Sequence, residues 1–322
     1  MLNVFLTFDT EVWCGGWNEL DRRFPEAFRR YVYGPTARGD GALPLILRVL
    51  NEHGLIGVFF VEPLFSKRFG IEPLREIVAL IQDAGHEVQV HLHTEWADAT
   101  DPPLIADLAR KHQHLAMFDR AQQTQLIKLG IDQLRNAGAN TLRAFRAGNY
   151  GMNEDTPAAV HGSGLEIDSS YNPASRFGGH FVEDGEIPRQ AFAVDGVLEY
   201  PISVFQGGKG GAPHALQLTS CSFQEMRHAL RQAFAAGWES VVIVAHNFEL
   251  MNRAKTRIDP IALHRFENLC RFLNQHRDQY RCQGFNTLDA HAFKGIAKPL
   301  EGSAPLRFAR MTEQVLRRAY GA

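Results

Sequence analysis

Residues 88–96 read Val-Gln-Val-His-Leu-His-Thr-Glu-Trp, an apolar run that ends in two histidines and a glutamate. Imidazole and carboxylate are the ligand types of zinc and its neighbouring divalent metals. Side chains alternate along a strand, so His91 and His93 project to one side, with Glu95 just past the strand end. His-x-His pairs also occur by chance on surfaces, so this one takes its weight from the rest of the chain. Residues 2–8 form a β-prone run that delivers Asp9 and Glu11, two carboxylates on one face that repel unless a proton or cation lies between them. Arg146, Asp168 and His246 each close a further apolar run.

Elements must bring these groups together, and the hydrophobic pattern supplies them. Helical spacing covers residues 43–53, with Pro44 in the first turn and Gly54 ending the helix. Residues 56–61 (Ile-Gly-Val-Phe-Phe-Val) read as a fully buried strand. The alternation continues with helix at 73–84, strand at 86–93, helix at 121–137, strand at 142–145, helix at 154–162 and a strand ending at Asp168. Residues 172–196 form a long loop, and strand character resumes over 198–204. Helix 223–236, strand 240–245, helix 261–275 and a short strand at 280–285 complete the series. Residues 18–40 are polar, aromatic and irregular, an insertion over the mouth of the sheet. The glycine-rich stretch 207–213 lacks the Lys-Ser/Thr ending of a phosphate-binding loop and gets no nucleotide role. Such alternation predicts a parallel sheet, open or closed into a barrel. Asp9, His91 with His93, Arg146, Asp168 and His246 all fall at C-terminal strand ends, which in a β/α barrel converge on one mouth.

Composition narrows the function. A net charge of −2 with no basic stripe gives no reason to expect a nucleic-acid partner. Cys14, Cys221, Cys270 and Cys282 are scattered and form no Cys-x-x-Cys pair, which suits reduced thiols in a reducing compartment. The N-terminus runs straight into a strand without a cleavable leader pattern, and no apolar stretch is long enough to span a membrane. The expectation is a cytoplasmic protein. Residues 294–322 read as a linker followed by a basic amphipathic helix at 307–320, which docks on its own domain or pairs two copies in a homo-oligomer.

The ordered motifs resemble a known family. Thr7-Phe8-Asp9 is similar to the first motif of the polysaccharide deacetylases (NodB-like, carbohydrate esterase family 4), and Gly85-His86-Glu87 through His91 to the second. Residues 146–150 resemble the third motif, 165–168 the fourth and Ile243-Val244-Ala245-His246 the fifth. The resemblance spans about residues 2–290. It implies an α/β fold, a distorted (β/α)7 barrel in one domain over 1–293 with loop insertions and the C-terminal helix. It further implies metal-dependent removal of an acetyl group from an N-acetylated sugar. In these terms Asp9 is the general base, His91 a metal ligand, a backbone N–H near Tyr150 the oxyanion donor and His246 the acid, with Asp168 and Arg146 orienting acid and base.

Two positions depart from the pattern: Thr10 replaces the family's metal-binding aspartate, and Glu95 stands where its second histidine is expected. Alternation places Glu11 back on Asp9's side, so Glu11 can supply the missing carboxylate, and His93 or Glu95 the missing ligand. An inverted assignment, Asp9 on the metal and Glu11 as base, fits equally. Zinc is the expected ion, with cobalt or nickel as substitutes, and the expected partner is an N-acetylated carbohydrate in surface polysaccharide biosynthesis. The competing readings are a deformylase or amidase on a small substrate, and a metal-free barrel that only binds.

Overall fold

In the computed structural model, which describes residues 1–177, 181, 186–207, 211–289 and 295–321, alternation within the first strand sets the plan. In β1 (Leu2–Thr10), Val4, Leu6 and Phe8 face the large core beneath the helices. Phe5, on the other face, joins a smaller cluster with Val58, Phe60, Ala144, Ile167, Tyr200, Val242 and Val244. That cluster draws on several strands and fills the concave side of the sheet. Its floor is aromatic: Phe5 stacks on Phe285 at 4.6 Å and meets Tyr200 edge-on at 5.6 Å. Thr7 and Asp9 follow Phe5 on this inner face, so the strand carries its carboxylate up from a dry floor to the mouth.

The other barrel strands are β2 (Gly57–Val61), β3 (Glu87–Leu92), β4 (Ala144–Ala147), β5 (Ile167–Asp168), β6 (Val197–Glu199) and β7 (Ser240–His246). They lie in the order β7-β1-β2-β3-β4-β5-β6, all parallel. The sheet is curled but not closed by a β6–β7 pair. Instead residues from the following segment stitch the seam: Ser203 N–H donates to Val242 O at 3.2 Å, and Val244 N–H to Leu216 O at 2.9 Å. Tyr280–Cys282 adds a short parallel strand beside β1, and Phe192–Val194 an antiparallel one beside β6.

Helices Leu43–Glu52, Glu72–Asp83, Arg120–Asn136, Asp155–Gly162, Phe223–Ala235 and Pro260–Gln275 cover the convex face. Two begin with reciprocal capping boxes, Asp119 with Gln122 and Ser222 with Glu225, each satisfying first-turn N–H groups. The helix Leu43–Glu52 buries Leu43, Leu45, Ile46, Leu47, Val49 and Leu50, and each such side chain contributes roughly 1.5–3 kcal/mol.

Three expectations need correction. Residues 18–40 are not irregular: they form the helix Leu20–Phe28, a wide helical turn over Arg29–Tyr33 and a small hairpin. Phe24 there stacks on Phe69 at 3.7 Å, so aromatic packing orders a stretch whose polar composition hid it. The single strand expected over 198–204 breaks in two, β6 and Val204–Gln206, which belong to different sheets. The strand expected over 280–285 stops at Cys282, because Glu87 takes the N–H groups of Phe285 and Asn286.

The expected boundary at 293/294, part of the 172–196 loop and the middle of the 207–213 stretch lie outside the described residues. The C-terminal helix Ala304–Gly321 docks on the barrel through Arg265–Glu313 at 2.7 Å, Arg310–Glu225 at 3.1 Å and an Arg317–Asp259 ion pair. Phe308, Met311 and Val315 remain exposed. No described helix is long and apolar enough to cross a membrane.

Candidate functional site

Strand register assembles the mouth. Asp9 on β1 sits beside His246 on β7, and His91 on β3 beside Arg146 on β4. Arg146 is fully buried, its guanidinium 4.1 Å above the Phe60 ring. It donates to Asp9 Oδ1 at 2.7 Å, Thr7 Oγ1 at 3.0 Å and Ser169 at both its carbonyl and its hydroxyl. A buried cation with that many acceptors is fixed in place, and it fixes Asp9 in turn.

Glu11, one residue beyond β1, holds the centre. Its Oε1 lies 2.8 Å from His93 Nε2, 3.2 Å from His91 Nε2 and 3.9 Å from His246 Nε2, while Trp13 Nε1 donates to Oε2 at 2.5 Å. Asn247 positions its backbone: the Asn247 side chain accepts from Glu11 N–H at 3.1 Å and donates to the Glu11 carbonyl at 3.3 Å. Each histidine is oriented from behind. His91 Nδ1 meets the Arg146 carbonyl at 2.8 Å, His93 Nδ1 meets Glu95 Oε2 at 3.2 Å, and His246 Nδ1 meets Glu249 Oε1 at 2.7 Å. With Nδ1 so engaged, all three rings turn Nε2 toward Glu11. Gly148 permits the approach of β4: a Cβ there would lie 2.6 Å from the Leu92 carbonyl and 2.8 Å from the His93 ring.

The electrostatics follow this geometry. Burial alone would raise the Glu11 carboxyl, but the His93 charge and the hydrogen bonds from both histidines hold it well below the usual carboxylate range. Burial would lower His93, yet Glu11 and Glu95 push it well above an ordinary imidazole. His246 is pushed up to about 9 against its burial, by the hydrogen bond to Glu249 and the Glu11 charge.

Two overlapping sets suit a cation: Glu11 with His91 and His93, and Asp9 with Glu11 and His246, the ligand atoms of each within 4.8 Å of one another. The first fits better. Its members are all buried, and both imidazoles present Nε2 with Nδ1 held by an acceptor, as metal-bound histidines do. In the second, Asp9 is already paired with Arg146 and the His246 side chain is 24% exposed. Glu95 sits behind His93, with its other oxygen accepting from Asn149 at 3.0 Å, and so is not among the converging atoms.

Asp168 is not part of the mouth. It pairs in register with Phe145 and Glu199 and shares their outward face, whereas Ile167 points inward. An Arg146–Asp168 ion pair is accordingly absent, and Glu249 rather than Asp168 backs His246. Asp168 Oδ2 and Glu199 Oε2 are both buried without another partner, and burial pushes Asp168 up to about 6 and Glu199 well above its usual value. One retained proton between the two carboxyls accounts for both orphaned oxygens. Glu249 and Asn247 were missed from the sequence; the signal was an acid three residues after His246 in His-Asn-Phe-Glu.

Tyr150 lies at the rim, with left-handed φ at both Asn149 (54°) and Tyr150 (55°). Burial and the Asp9 charge raise its phenol. A cavity of about 730 Å³ opens beside it, lined by Glu95, His114, Asn149, Tyr150, Phe177 and Gln217 among others. Gln217 also donates to Glu249 at 2.7 Å, which ties the cavity wall to the acid behind His246.

No family model matches the sequence, and no curated protein does. Among solved structures, the chain is similar to a Mycobacterium smegmatis protein provisionally designated a polysaccharide deacetylase. Identity is 20%, over 88% of this chain and 87% of that one, with a TM-score of 0.55. The fold is the distorted barrel of the NodB-type deacetylases. A family 4 carbohydrate esterase from Streptomyces lividans aligns at 15% identity over 88% of this chain and 92% of its own, TM-score 0.45. A Bacillus anthracis pseudoenzyme of the same family aligns at 11% over 86% and 62%, TM-score 0.42. The seven parallel strands of the NodB-type barrel here match the expected (β/α)7 plan, although among the described residues no helix lies between β5 and β6.

Proposed function

We propose that this chain is a divergent polysaccharide deacetylase that hydrolyses the N-acetyl group of an amino sugar in surface polysaccharide assembly. The observation that carries the reading is the convergence of Glu11 Oε1 with the Nε2 atoms of His91 and His93, in a mouth that also holds Asp9 and His246. Glu11, His91 and His93 would hold the divalent cation, zinc being the best match to their donor set. When bound, such an ion polarises the acyl carbonyl and lowers the pKa of water from about 15.7 to roughly 7.

The chain's own groups do the rest. Asp9, anchored by Arg146 at 2.7 Å, accepts the proton of the attacking water. The water oxygen bonds to the acyl carbon, and a backbone N–H at Tyr150 stabilises the developing oxyanion. As the C–N bond breaks, His246 gives its proton to the departing amine, so the products are acetate and a free amino sugar. Glu249 keeps His246 charged and aimed, while Glu95 holds His93 Nδ1 and so aims its Nε2 at the cation site. The cavity of about 730 Å³ takes the sugar, with Phe177 and Tyr150 as apolar faces and Asn149 and Gln217 as hydrogen-bonding groups. Four free cysteines, three of them buried, support a reducing compartment such as the cytoplasm.

Protein purified without chelator is the decisive material. It should contain close to one equivalent of zinc or a related metal and release acetate from N-acetylated amino sugars. A protein that takes up no divalent ion and releases neither acetate nor formate would be the binding barrel instead.

A further inference from the structure

Beside Trp13 lies a second hollow, of about 300 Å³. Trp13, Arg23, Arg30, Tyr31, Arg253 and Lys255 are among its lining residues. Two of these residues link it to the centre. Trp13 donates to Glu11, and the Tyr31 carbonyl accepts from the same Asn247 that holds the Glu11 backbone, at 2.8 Å. Phe248, whose ring stacks on His246 at 5.4 Å, forms the link on the other side.

Charge in this hollow is unbalanced. Lys255 Nζ stands 4.5 Å from the Tyr31 ring and 4.6 Å from the Phe248 ring, and no carboxylate among the described residues pairs with it. Arg253 makes no hydrogen bond or ion pair among the described residues. The one acid in the lining, Glu26, is taken by Arg30. Half-burial and the Arg30 charge both work against the Lys255 ammonium, which is held below its usual value. The backbone is committed to this arrangement. Asn252 Oδ1 accepts from the N–H groups of Thr256 and Arg257 at 2.9 and 3.2 Å, closing a loop in which Lys255 has φ 55°. That region is strained for a residue with a Cβ. A strained, partly desolvated ammonium wedged between aromatic faces and flanked by guanidinium groups is a site built for an anion.

The geometry points to a substrate whose amino sugar carries a phosphate or diphosphate, with that group seated on Arg253, Lys255 and Arg30 while the acetamide lies at the centre. This rests on the deacetylase reading and adds the class of its carrier. A nucleoside diphosphate and a lipid diphosphate share this chemistry.

The test reads binding, so it does not depend on turnover. Uridine diphosphate and inorganic pyrophosphate are titrated calorimetrically into the wild-type protein as purified, its metal content measured before and after. Both are expected to bind, more weakly at high salt. The Arg253→Ala/Lys255→Ala double variant should lose at least about tenfold in affinity, while Lys255→Arg retains most of it. Metal content and thermal unfolding of both variants should match the wild type, which separates lost binding from lost fold. Tighter binding of uridine diphosphate assigns part of the site to a nucleoside; equal binding leaves the diphosphate alone as the recognised group, as on a lipid carrier. No binding to wild type, or equal binding to the double variant, overturns the proposal. If acetate release fails on every substrate but this affinity persists, the deacetylase reading falls and the anion site stands.

Discussion

Two sets of buried acids lie at or just beyond strand ends on opposite faces of one sheet, and they behave in opposite ways. On the concave face, Asp9, Glu11 and Glu249 each meet a guanidinium or an imidazole. On the convex face, Asp168 and Glu199 pair with no guanidinium or imidazole; Asp168 Oδ1 accepts from Ser170 and Glu199 Oε1 from the Tyr171 N–H, and their other oxygens have no such donor. Glu11 is driven down in pKa by its partners, whereas Asp168 and Glu199 are driven up by burial. Burial is common to both sets, so it does not make an acid functional. Orientation within a two-residue period decides whether a carboxyl at a strand end reaches the mouth or the wall.

The contrast is breakable by substitution. Glu11→Ala should have the largest effect, emptying the centre of metal and cutting acetate release by about a thousandfold or more; elemental analysis and an acetate assay read both. His246→Ala should leave metal content intact and lower kcat by at least about a hundredfold, and full activity would remove His246 from the proton inventory. Glu95→Gln, which spares every converging atom, should weaken metal affinity by about 10–100-fold, measured by competition with a chelator.

Asp168→Asn sharpens the other side of the comparison. It should leave kcat within about threefold, because the residue faces the wall. Stability is where it should show. The folded Asp168 binds its proton more tightly than an unfolded one, so its contribution is present below the ordinary value of 3.8 and is lost as pH rises through about 6. Asparagine keeps a donor toward Glu199 at every pH. Denaturant midpoints should therefore show the variant gaining on wild type between pH 4 and pH 8, by about 1–3 kcal/mol.

How much of this was legible follows from the same parity argument. Barrel strands announced themselves through buried β-branched and aromatic runs, and residues such as Asp9, His91 and His246 ended them visibly. The return of Glu11 to Asp9's side was readable because alternation fixes it. Asp168 misled because a strand end tells nothing about face when only two residues pair; β5 is Ile167–Asp168 alone. Glu249 was hidden for a different reason. It lies in a turn after β7, and its contact with His246 depends on a loop closed by the Glu249 N–H donating to the His246 carbonyl, which no periodicity marks. The ordering of residues 20–33 was equally invisible, since it comes from Phe24 packing on the distant rings of Phe65 and Phe69.

Trp13 gives the molecule a gauge of its own occupancy. Its indole N–H is tied to Glu11 and its ring meets His93 edge-on at 4.8 Å, so whatever claims those two side chains alters the electric field across the chromophore. Emission wavelength should then shift as the ion enters, letting a fluorimeter follow loading in real time without label or substrate.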